Sequence, residues 1–172
     1  MSIEIIKAIS LHQPWASLIP MGLKKHETRS WSTSYRGPLL ICAAKKTSIG
    51  QKLTHNYLLD QYQQIPLETD NYVGWDDLPF GYAVALVDLY AVALVDLTAC
   101  IKMTDAFIKQ QSQVELETGD WREGRFAWRL DNIRRIVQPI PIIGKQGLFN
   151  VEVDFYEHQL EAISGAMPKL QS

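Results

Sequence analysis

Between Gly22 and Lys46 the chain reads GLKKHETRSWSTSYRGPLLICAAKK, with six cations (Lys24, Lys25, Arg29, Arg36, Lys45, Lys46), one acid (Glu27) and the aromatics Trp31 and Tyr35. In an extended strand Lys25, Glu27, Arg29 and Trp31 share one face. Glu27 and Arg29 can pair across that face, and Lys24, at the turn after Gly22, can swing its ammonium to the same place. A carboxylate held between two cations stays ionised and can orient a ligand amine or a water. The arginine fork matches a phosphate or a carboxylate. The competing reading is a solvent-facing ion pair of little energetic worth.

Two further segments carry candidate groups. In Ser10-Leu-His-Gln-Pro-Trp15 the proline sets Trp15 at the start of a short helix, where an indole can stack a base. In Gln146-Gly-Leu-Phe-Asn150 a turn can bring Asn150 toward a pocket, although asparagine in a turn more often serves backbone geometry. His12 and His26 lack a third ligand, so they read as hydrogen-bonding histidines and no metal site is expected. Phosphate-loop, dinucleotide-binding and nucleophile-elbow motifs are absent, and no cofactor is expected.

The elements that must position these residues belong to an ordinary globule. The 172 residues are 47% hydrophobic and 21% charged, which suits a single domain with a real core. Cys42 and Cys100 sit in apolar runs and read as small hydrophobes. The N-terminal MSIEIIKAIS lacks the pattern of a signal peptide, and no apolar run is long enough to span a membrane, so a cytoplasmic protein with no membrane partner is expected. The net charge of -2 conceals a division. Residues 24–46 sum to about +5 and residues 47–80 to about -4. One-sided basic surfaces attract phosphates.

Strands are expected over Ile3–Ser10, Lys25–Trp31, LLICAA, 82–100, Phe126–Leu130, Ile133–Ile140 and Leu148–Val153. Helices are expected from Trp15, over 49–62, around 104–110 and over 155–163. This is α+β, with a small mixed β-barrel that removes sheet edges. The octapeptide YAVALVDL at 82–89 recurs unchanged at 90–97. A single 16-residue strand would run to about 53 Å, so one copy is expected to pair and the other to protrude or bulge. A protruding apolar copy could pair with another chain as a homodimer strand; a tolerated tandem duplication is the simpler reading.

SLHQPWASLI, GLKKHETRSW, YRGPLLICAAKK, GRFAWRL and PIPIIGKQGLFNV, in this order, resemble the ASCH (activating signal cointegrator homology) domain family from about Ile6 to Val153. The resemblance implies a single PUA-like domain over 1–172, with a cleft lined by the G-x-K-x-x-E-x-R segment. Lys24, Glu27 and Arg29 would line that cleft and Trp15 would form its wall. It implies binding of RNA, single strands or nucleotides through a basic cleft. From the residues themselves, Trp31 and Tyr35 as stacking aromatics, Arg36 as a cation and Asn150 after its turn are expected as further contacts. Some small members hydrolyse acetylcytidine with a lysine and a threonine in G-x-K-x-x-T-x-R. Lys24 matches that lysine, but Glu27 stands in the threonine's place and Thr28 is one residue displaced. An amidohydrolase would then use Lys24 and Glu27, assisted by Glu115, Glu117 or Glu123. A self-associating interaction module is the third reading.

Overall fold

The computed structural model of the chain describes residues 3–62, 75–78, 89–154 and 159–162. In chain order these form β1 (Ile3–Leu11), α1 (Trp15–Leu18), β2 (His26–Arg29), β3 (Gly37–Ala44), α2 (Ile49–Tyr62), a 3₁₀ turn (Trp75–Asp77) and β4 (Leu89–Lys102). Then follow α3 (Asp105–Lys109), α4 (Gln113–Glu117), β5 (Phe126–Ile142), β6 (Phe149–Asp154) and β7 (Leu160–Ala162). One seven-stranded sheet runs β2-β5-β4-β3-β1-β6, with β7 on β5. The β1–β3 pair is parallel and the others are antiparallel.

The apolar run LLICAA has no polar alternation because β3 lies inside the sheet with both faces covered. Leu39, Ile41 and Ala43 pack with Ile9, Leu11, Val95 and Trp128. Leu40 and Cys42 turn the other way, onto Ile6, Ala8, Leu94 and Phe149. Each fully buried aliphatic side chain here contributes about 1.5–3 kcal/mol.

The mixed α+β architecture with short helices is as expected, but the sheet is not closed into a barrel. Among the described residues β2 hydrogen-bonds only to β5 and β6 only to β1, so the path has two open ends. Register is irregular between Ile41 and Cys42 and at three places along β4–β5. The segments 126–130 and 133–140, expected as two strands, are one 17-residue strand, β5. Asn132, at φ 47, takes the left-handed conformation that asparagine tolerates and lets the strand continue.

The second octapeptide copy lies wholly within β4, paired to β3 and β5 along its length. One copy, unspecified, was expected to protrude or bulge; residues 82–88 of the first copy lie outside the described residues. The helix expected over 155–163 is a further difference. Residues 160–162 form β7, paired to Arg134–Ile136, while 155–158 and 163 lie outside the described residues.

Candidate functional site

Gly22, at φ 79, ends the turn after α1. The amides of Leu23 and Lys24 then both donate to the Leu18 carbonyl, at 3.0 and 3.1 Å. This anchors Lys24 where its side chain turns inward, and it is only 2% exposed. Its Nζ donates to the Thr118 carbonyl at 2.7 Å and lies 3.5 Å from Glu27 Oε2. Glu27 Oε1 accepts from Arg29 Nε at 3.0 Å, and Arg29 Nη2 donates to the Ser10 carbonyl at 2.9 Å. Glu27 therefore bridges two cations, and those cations tie β2 to the end of β1 and to the residue after α4. An ammonium carries three donors and a guanidinium five N–H groups, so both cations keep donors for a guest.

These three side chains line an open recess of about 600 Å³. Trp15, Trp31 and His12 line it from one part of the chain, and Thr118, Gly119, Asp120 and Arg125 from another. Trp31 stands edge-on to the buried Trp128, at a ring separation of 4.8 Å, and remains 37% exposed. The opposite wall is closely fitted. The Asp120 amide donates to Thr28 Oγ1 at 2.9 Å. A Cβ on Gly119 would lie 2.9 Å from Thr28 Cγ2 and 3.0 Å from Trp121 Nε1, so only glycine fits this approach.

The recess is balanced in charge rather than basic. Its lining holds the cations Lys24, Arg29 and Arg125 and the carboxylates Glu27, Glu117 and Asp120. Hydrogen bonds from Arg122 hold the Asp120 carboxyl below the usual range. Glu117 accepts from Tyr62 Oη at 2.6 Å and from Gln113 Nε2 at 2.8 Å, and Tyr57 Oη lies 3.4 Å away. The Tyr62 bond is the main cause of a lowered Glu117 carboxyl. Burial, and then Glu117, push the Tyr62 phenol up to about 12.

Of the residues singled out in the sequence, the structure brings Trp15, Lys24, Glu27, Arg29 and Trp31 to one recess. Tyr35, Arg36 and Asn150 are not in its lining. Tyr35 Oη donates to the Pro38 carbonyl, Arg36 donates to the carbonyls of Thr33 and Tyr35, and Asn150, on β6, pairs with Lys7 of β1. Of the three candidate glutamates, only Glu117 is in the lining. Glu115 accepts from the Lys25 amide at 2.7 Å, and Glu123 from the Asp105 amide at 3.0 Å. His26 lies 3.3 Å from Glu115 Oε2 and edge-on to Trp121. No group of three or more potential metal ligands occurs among the described residues.

Sequence reasoning missed Thr118, Gly119, Asp120 and Arg125. The Ser112-x-x-Glu115 spacing is a helix-start signal that would have located α4, since Ser112 Oγ caps the Glu115 amide. Nothing local shows that the following turn meets β2.

Comparison with known proteins adds a family. The ASCH domain model matches residues 9–140. Activating signal cointegrator 1 of Mus musculus is 27% identical over 154 residues, covering 87% of this chain and 23% of that protein. Activating signal cointegrator 1 of Homo sapiens is 36% identical over 86 residues, covering 47% of this chain and 13% of that protein. The chain thus spans less than a quarter of the length of either relative.

Proposed function

The chain belongs to the ASCH domain family, and from that premise we propose that it binds single-stranded RNA or a nucleotide by seating a base in the recess. The observation that carries this reading is the convergence of Lys24, Glu27 and Arg29 in an open recess with two indoles in its lining. A flat base has donors and acceptors on its edge and a π-face above and below. The spare donors of Arg29 and Lys24 meet ring nitrogens and carbonyls, while Glu27 accepts from an amino group. Trp31 is free to stack, and base–aromatic stacking is worth about 1–3 kcal/mol. Single strands offer unstacked bases to such a site, which duplexes do not.

Anisotropy of a labelled single-stranded RNA tests this reading. Arg29→Ala and Trp31→Ala, each checked for native folding, should weaken binding. Absence of binding to a panel of oligonucleotides at low salt would end the proposal.

A second reading is hydrolysis of an amide on a modified nucleoside. It draws on the buried Lys24 ammonium within 3.5 Å of Glu27. Glu27 would take a proton from water as its oxygen adds to the acyl carbon, Lys24 would stabilise the oxyanion, and Glu27 would return the proton to the amine as the C–N bond breaks. Turnover of acetylcytidine that disappears in Glu27→Gln is the expected sign, and no turnover at high enzyme concentration would remove this substrate.

A further inference from the structure

A phosphate chain needs unpaired cations, and the recess does not supply them, because its three cations face three carboxylates. Elsewhere among the described residues one cluster stands out. Lys45, Lys46 and Lys52 are all exposed, take part in no ion pair or side-chain hydrogen bond among the described residues, and flank the start of α2. No Asp or Glu occurs between residues 45 and 59. The outer face of α2 also presents Ile49, Leu53 and Tyr57, which are 80%, 63% and 50% exposed. Their spacing of four residues places them in a row.

This row leads to the recess. Tyr57 Oη lies 3.4 Å from the carboxylate of Glu117, and Glu117 is part of the recess lining. From Ile49 to Tyr57 the helix axis advances about 12 Å, a span that several nucleotides can follow. Resting on the reading that a base occupies the recess, we propose that the same strand runs out past Tyr57 and along α2. Tyr57 stacks a second base, and Lys45, Lys46 and Lys52 hold the phosphates. The recess then selects the base while α2 supplies most of the electrostatic attraction.

The test compares a single-stranded RNA of about twelve nucleotides with a dinucleotide of the same 5′ sequence. For the longer RNA, the triple variant Lys45→Ala, Lys46→Ala, Lys52→Ala should lose about tenfold or more in affinity at low salt. Its log–log salt slope should flatten by about 2, from roughly 0.7 per lost phosphate contact on a single strand. Tyr57→Ala should cost the longer RNA about tenfold while Tyr57→Phe does not. The triple variant should leave the dinucleotide unaffected, whereas Tyr57→Ala should weaken it as well, because its second base reaches Tyr57. If the triple variant matches the wild type in affinity and slope while Arg29→Ala loses binding, the α2 path is wrong and the recess reading stands. Loss of binding only to phosphatidylserine vesicles, with RNA unaffected, would overturn the path in favour of a lipid surface. Failure of the wild-type protein to bind either RNA would overturn both proposals.

Discussion

Glu27 keeps two cations together that would otherwise repel, and one of them, Lys24, is almost wholly removed from water. Removing one partner of a buried pair leaves an uncompensated charge. Glu27→Ala should therefore cost about 3–5 kcal/mol in urea unfolding, whereas Lys24→Met, which removes the buried charge and leaves Glu27 on Arg29, should cost much less. Equal losses would show that Lys24 does not depend on the carboxylate. The Tyr62–Glu117 bond makes a pH-dependent contribution. The folded Glu117 carboxyl lies below its ordinary range, so this contribution is present above the unfolded value and fades as pH falls through the folded one. Tyr62→Phe should lose about 1 kcal/mol near neutrality, with the gap to wild type closing in acid. The K-x-x-E-x-R cluster was legible in the sequence because a turn and a strand fix its geometry locally. The groups that complete it were not. Thr118, whose carbonyl holds Lys24, is 94 residues away, and no local pattern announces such a contact.

The four residues of β2 are held against the turn after α4 by contacts that leave no room for change. Gly119→Ala should push on Thr28 and Trp121, costing about 1–3 kcal/mol and distorting the recess. A variant of wild-type stability with unchanged ligand affinity would show that the wall can yield. Ser112→Ala removes the cap of α4 and should cost about 1 kcal/mol, read as a shift in the unfolding midpoint. Elements with strong local signals, such as β3 with its unbroken apolar run and α2 with its length, were readable. The unity of β5 was not, because Asn132 reads as a turn residue when its left-handed conformation here only offsets the pairing. Nor was β7 foreseen. Its three residues are a strand only because β5 offers them an edge.

Across the whole molecule, the duplicated octapeptide tests how far the sheet depends on each copy. Residues 90–97 already fill their places between β3 and β5. Deleting 82–89 leaves an identical octapeptide, so the shortened chain should retain near-UV circular dichroism and a single cooperative unfolding transition. A molten or aggregated product would show that the first copy is structurally required. The barrel was the least legible feature, since closure depends on whether two distant edges meet, and neither HETR in β2 nor FNVEVD in β6 encodes that. The open end at β2 has its own consequence. Among the described residues the strand that carries Glu27 and Arg29 is ladder-bonded along one margin only, so its amides should exchange with solvent sooner than those of β3. A guest spanning Ser10, Glu27 and Asp120 would staple that margin, and slowed deuterium uptake at residues 26–29 would then register occupancy directly.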